Sequence, residues 1–204
     1  MNWKRLDRET THQIIDSVKS AAEPGLISAT ASEVERAWLP FYKDFYLYRI
    51  TSFASLPSFT FEYLGDGKFF HYLDGTNHPI YAVNDKKILH LDEIHVVDYL
   101  VFYFQHVTDP EDGDIVLVRN PHDMPMLDSL DSSAVQTIIR NHRPPRVERL
   151  ENDAGYMAKV DLYVDGILLR ATIHVDHAGR VGIKDRKMII NEVGQTAENG
   201  KFVV

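Results

Sequence analysis

The densest group of potential metal ligands in this chain is His174-Val175-Asp176-His177. Residues two apart on a strand share a face, so His174 and Asp176 could reach one ion. A metal centre needs three or more ligands with supporting partners. Here the third is missing, because His177 falls in a predicted turn and the residue expected opposite His174 is Gly182, which has no side chain. The sequence therefore implies neither a bound metal nor a cofactor.

A second group lies on the polar face of the same predicted sheet, where Lys159, Asp161, Arg170, Thr172 and Lys184 line up. An Asp161–Arg170 cross-strand pair would stabilise a solvated face. The functional alternative is a concave surface that holds a small ligand, with Tyr163, Arg170 and His174 as the contacts. These three are the candidate ligand-binding residues.

Two further groups carry charge. His95, Asp98, Phe102 and Gln105 recur at helical spacing on an otherwise apolar segment. A carboxylate there is unfavourable unless it faces water, pairs with a basic neighbour, or serves as a tuned acid–base group in a pocket. Arg140, His142, Arg143, Arg146 and Arg149 surround Pro144-Pro145. They suit a helix C-terminus and an exposed linker, or an anion contact.

No catalytic residue is assigned. The chain lacks Gly-x-Gly-x-x-Gly, a P-loop, Gly-x-Ser-x-Gly and His-Glu-x-x-His. It also has no cysteine, which excludes disulfides, thiolate nucleophiles and cysteine-ligated metal.

The elements that must position these groups are legible from Tyr156 onward. Val160, Leu162 and Val164 alternate with polar residues, as do Ile167, Leu169, Ala171, Ile173 and Val175, on either side of Asp165-Gly166. Asp-Gly between alternating runs predicts a hairpin with a type I′ turn. The register follows: Val164 opposite Ile167, Leu162 opposite Leu169, Asp161 opposite Arg170 and Ala158 opposite Ile173. A slip of one residue would set apolar side chains against polar ones. A loop of His177-Ala178-Gly179 adds a third strand, with Val175 opposite Val181 and Ile173 opposite Ile183. Arg146 to Glu151 is a possible fourth.

Upstream, Arg8 to Ala22 reads as a helix ended by Pro24-Gly25, and Glu33 to Trp38 as a short helix capped by Ser32. Aromatic and β-branched residues from Phe45 to Val83 predict strands at Phe45–Ile50, Phe59–Leu64 and Lys68–Leu73, with Pro79–Val83 following a turn. Asp92 should cap a helix running to about His106 that is apolar nearly all round, with Val97, Val101 and Phe104 buried. A short strand at Ile115–Val118 and a loop at Pro121–Pro125 follow. A helix capped by Ser132 or Ser133 then runs through Arg140. The tail from Gly194 is polar until Phe202.

The expected fold is α+β: an antiparallel C-terminal meander packed against helices, with an aromatic-rich N-terminal group of strands. The 204 residues suggest a single domain, 1–204, with an internal boundary near 143–146 as the alternative. A net charge of −8 disfavours nucleic acid. The absence of an apolar leader or a spanning stretch points to a soluble cytoplasmic protein without a membrane partner.

The function this favours is a non-enzymatic binding or interaction domain, which self-associates as a homodimer or takes a protein partner. The alternative is a small enzyme or ligand-binding protein. It would use a pocket between sheet and helices, with histidine and carboxylate acid–base groups and a small-molecule ligand.

Overall fold

The structure, a computed structural model, describes residues 1–19, 27–111, 113–124, 127 and 130–190. It is an α+β protein with two five-stranded antiparallel sheets and four α-helices among the described residues. The chain divides into two compact units, one ending at His90 and the other beginning at Leu91. Residues 143–146 lie inside the second, in the link from a helix into the first residue of a strand.

In the first unit, β1 (Trp3–Arg5), β2 (Ser32–Trp38), β3 (Tyr46–Ser52), β4 (Phe59–Gly65) and β5 (Phe70–Tyr72) form one sheet in sequence order. Helix α1 (Arg8–Lys19) starts at Asp7, whose side chain accepts from the Thr10 N–H at 2.9 Å and the Thr10 hydroxyl at 2.8 Å. It lays Ile14, Ile15 and Val18 on Val34, Tyr48, Ile50 and Tyr63 of the sheet. The expected end of this helix, Ala21 to Gly25, lies outside the described residues.

Two expectations fail in this unit. Glu33–Trp38 is strand, not helix. It pairs with β1 on one side and along its whole length with β3 on the other, from Ser32 opposite Ser52 to Trp38 opposite Tyr46. Its helix preference is worth only a few tenths of a kcal/mol per residue, which two ladders override. Conversely, Pro79–Val83 belongs to helix α2 (His78–Asn84). Pro79 sits in the first turn, where no N–H is needed. Ile80, Val83 and Asn84 make the buried face at helical spacing, and Asn84 accepts the Tyr42 hydroxyl at 2.5 Å.

In the second unit, the sheet order is β10 (Val181–Ile190), β9 (Ile167–Val175), β8 (Tyr156–Val164), β6 (Val116–Val118), with β7 (Arg146–Arg149) pairing the first half of β8. The meander has the register the sequence dictates, including Asp161 opposite Arg170, Val175 opposite Val181 and Gly182 opposite His174. Asp165 and Gly166 both take positive φ, 45° and 84°, as a type I′ turn requires. A bulge after Ile183 then takes Lys184 out of step, so that Asp185 and not Lys184 faces Thr172.

Helix α3 (His95–His106) begins beneath Asp92, which accepts from the N–H groups of Ile94 and His95 at 3.0 and 2.7 Å. It packs on β6 and β8, and its Tyr99 hydroxyl donates to the Gly179 carbonyl at 2.6 Å. Phe104 is buried as expected, but Val97 and Val101 are only half-buried; the fully covered line is Val96, Tyr99, Leu100 and Phe102. On a helix apolar all round, periodicity cannot choose the inward side.

Helix α4 (Ser132–Asn141) is capped by Asp131 and not by a serine. Its carboxylate accepts from Ser133 N and Ala134 N, both at 2.8 Å. Ile138 of α4 packs with Val118, Met124, Tyr163, Leu168 and Ile190, covering part of the sheet face that its polar residues predict to be solvated.

Candidate functional site

Asp161 is the only charged residue among the described residues of the buried set, with no exposed surface. Three donor contacts hold its carboxylate. Arg170 Nε donates to Oδ1 at 2.9 Å, Arg170 Nη2 to Oδ2 at 3.2 Å, and the Arg143 backbone N–H to Oδ2 at 2.6 Å. Arg170 Nη2 also reaches the Asn141 carbonyl at 3.0 Å. His142 Nδ1 stands 3.2 Å from Asp161 Oδ2, off the line of a hydrogen bond, and is buried without a hydrogen-bond partner. The Asp–Arg pair thus clamps the C-terminal end of α4 to β8 and β9. Both Asp161 oxygens accept hydrogen bonds from the protein, and the side chain is withdrawn from solvent, so the carboxylate is placed as a structural anchor and not toward an open site. The cross-strand pair therefore has its carboxylate buried and its guanidinium half-buried, where a solvated pair was expected.

The structure does not gather Tyr163, Arg170 and His174 around a common space. Tyr163 is buried beneath α4. Arg170 is committed to Asp161 and Asn141. His174 is four residues further along β9, about 13 Å at strand rise, and contacts the Ala154 carbonyl through Nε2 at 2.9 Å. A carbonyl can only accept, so Nε2 carries the proton. Asp176 accepts from Arg180 N at 2.8 Å, and the His177 ring stacks edge-on to Tyr156. Among the described residues no three His, Asp or Glu side chains converge on one point.

Asp98 pairs with Arg119 Nη2 at 2.7 Å, the basic neighbour that its place on α3 requires. The arginines around the prolines do not converge on a site. Arg143 turns to the His142 carbonyl, while Arg146 and Arg149 are exposed on β7.

Two surfaces among the described residues combine apolar walls or rings with open access, and neither is specified by a motif. The first is a cleft of about 480 Å³ beside α3 and β6. Val101, Phe104, Leu117 and Met124 make its apolar wall, and Gln105, Thr108, Asp114, Arg119 and Asn120 its polar rim. Its lining holds one carboxylate, Asp114, which accepts the Thr108 hydroxyl at 3.0 Å, and no histidine. The second is an aromatic ladder on the α1 side of the first unit's sheet. Ring centroids follow one another from Phe59 to Phe61 (6.5 Å), Tyr72 (6.3 Å), Tyr63 (5.3 Å), Phe70 (6.5 Å), Tyr48 (5.1 Å) and Tyr46 (6.4 Å). The Arg36 guanidinium lies over Tyr46 at 4.4 Å. Tyr48 and Tyr63 are buried, and burial pushes the Tyr63 phenol up to about 12. The other end of the ladder is open, with Phe59 43 % and Tyr72 47 % exposed.

The fold and these surfaces define an α+β protein with an aromatic sheet face and a cleft beside an edge strand. The chain matches no protein family, and neither a curated protein nor a solved structure is similar to it. No helix among the described residues is long and apolar enough to cross a membrane.

Proposed function

We propose that the chain is a non-enzymatic binding domain that docks a protein partner, in the first instance a second copy of itself, through the aromatic face of its first unit. The observation that carries this reading is the ladder from Phe59 to Tyr46, which α1 covers at one end and leaves open at the other. On the same face Trp38, opposite Tyr46, is also more than half exposed. Large rings give up little side-chain entropy on binding and bury much apolar area, which is why they are enriched in interface centres. A monomer gains nothing from leaving them in water. Two copies of one chain satisfy such a face most simply by an isologous two-fold contact.

Acid–base catalysis is the weaker reading, because the cleft beside α3 offers no histidine and its one carboxylate is hydrogen-bonded. Light scattering over a micromolar dilution series tests the proposal. The expected mass is twice the 23.4 kDa of one chain. A Phe59→Ser/Tyr72→Ser variant should return to one chain, with circular dichroism confirming the fold and a melting temperature that no longer depends on protein concentration. A wild-type protein that stays at 23.4 kDa throughout would sink the self-association.

A further inference from the structure

The cleft beside α3 has a backbone wall. Val116 and Val118 lie on one face of β6 and Leu117 on the other, yet all three line the same cleft. A space that touches both faces of a strand runs along its edge, and β6 is an edge strand of its sheet. The hydrogen-bond phase fixes what that edge presents. Across the two-residue Asp165-Gly166 turn, Val164 and Ile167 form a hydrogen-bonded pair. Bonded pairs then alternate, so Leu162 turns its N–H and C=O toward β9, while Asp161 and Tyr163 turn theirs toward β6. Val116 and Val118 are therefore the residues of β6 bonded to β8. Leu117, between them, points its N–H and C=O away from the sheet and into the cleft. An extended backbone supplies an acceptor and a donor at that spacing and repeats them along the edge.

The geometry points to a peptide-binding site, in which a partner segment adds as a strand to β6 and places alternate apolar side chains against Val101, Phe104 and Met124. The rim chooses its charge. Arg119 is paired with Asp98 at 2.7 Å, whereas Asp114 is held, among the described residues, by the neutral Thr108 hydroxyl. With Asp98 beside the rim counted, Asp98, Asp114 and Arg119 sum to one negative charge, on a chain of net charge −8. The occupant it fits is an extended segment of alternating β-branched or aliphatic residues flanked by lysine or arginine. This site belongs to the second unit and does not rest on the aromatic face of the first.

The probe is a panel of fluorescein-labelled hexapeptides alternating valine, leucine or isoleucine with threonine, each with a terminal lysine, read by fluorescence polarisation. At least one should bind with Kd below about 1 mM. Methylating the peptide nitrogen that faces Leu117 should weaken binding by about tenfold, the loss of one backbone hydrogen bond. Lysine replaced by glutamate should also bind more weakly. Amide hydrogen exchange at Leu117 should slow when the peptide is bound. Val101→Lys should abolish binding, with circular dichroism confirming the fold; if that variant does not fold, the methylated peptides still decide.

No binding across the panel, or binding indifferent to methylation, would overturn strand addition. So would Leu117 protection that rises with protein concentration alone, which would assign the edge to a second copy.

Discussion

Arg170 closes both oxygens of Asp161 in a fork, Nε to Oδ1 at 2.9 Å and Nη2 to Oδ2 at 3.2 Å, and Nη2 reaches on to the Asn141 carbonyl. The carboxylate is almost fully withdrawn from solvent, so its charge depends on these donors. Arg170→Ala would strand it. Removing one partner of a buried pair is costly, and Arg170 is itself 37 % exposed, so the expected loss is about 3 kcal/mol, the low end of such cases. Arg170→Lys should recover part of that at most, since an ammonium cannot make the fork. Asp161→Leu/Arg170→Leu should lose less than Arg170→Ala alone. Urea melts of the three variants check the order. A loss below ~1 kcal/mol for Arg170→Ala would mean that water replaces the guanidinium.

The two sides of α3 should respond very differently to truncation. Phe102 is fully buried, and removing it to alanine should destabilise by about 3–5 kcal/mol. Phe104, 7 % exposed, belongs to the same class. Val97→Ala, at a half-buried position, should lose under ~1 kcal/mol. Equal losses at Phe102 and Val97 would show that the helix is turned differently from its place in the structure.

What could be read from the sequence depended on how local the determining contacts are. The β8–β9–β10 register is set by Asp165-Gly166, by a three-residue loop and by strict alternation, all within a few residues, and it is found as read up to the bulge after Ile183. Asp161 opposite Arg170 follows from that register. Its burial does not, because it depends on α4 folding back over the sheet and on Arg143 and His142, some twenty residues upstream. The strand at Ser32–Trp38 was illegible for a similar reason: its pairing partners, β1 and β3, lie on either side in sequence, and nothing local in Glu-Val-Glu-Arg-Ala-Trp announces them. The cleft has no motif at all, since its walls are an apolar helix side and an edge of backbone. The aromatic face was half legible. The abundance of rings from Phe45 to Tyr81 was plain, but which of them α1 covers was not.

Asp92 carries a pH dependence of known sign. The His95 N–H is the main reason that its carboxyl is held below the ordinary 3.8, with the His95 charge and the Ile94 N–H adding to it. A lowered value in the folded state means that the unfolded chain binds the proton more readily. The cap's contribution is therefore complete above pH 3.8 and is lost as the pH falls from there through the folded value. Asp131 at the head of α4 behaves in the same direction, mainly through the Ala134 N–H. In Asp92→Asn the acid limb of the stability curve should flatten, and Asp92→Ala should lose about 1 kcal/mol at neutral pH. Thermal melts from pH 2 to pH 6 check this (range chosen about the ordinary carboxylate value). An identical acid limb in Asp92→Asn and the wild type would remove Asp92 from the account.

Gly155, just before β8, should tolerate no side chain. Its φ of +101° is a conformation that L residues rarely adopt, and a Cβ there would stand 2.2 Å from the Val175 carbonyl oxygen. Neither clash partner is a flexible side-chain tip, because the next nearest atom is the Asp176 Cα at 2.8 Å. Relief would require β8 and the end of β9 to part, in the ladder that pairs Tyr156 with Val175. Gly155→Ala should therefore cost well over about 1 kcal/mol, beyond the usual penalty for an incompatible backbone. Gly182 makes the contrast: nothing lies within 4 Å of its added Cβ and its φ is not positive. Gly182→Ala should be neutral or slightly stabilising, since alanine fits a strand better than glycine. Paired urea melts read the difference directly, and equal stabilities for the two variants would show that the chain does not enter β8 through the tight turn at Gly155.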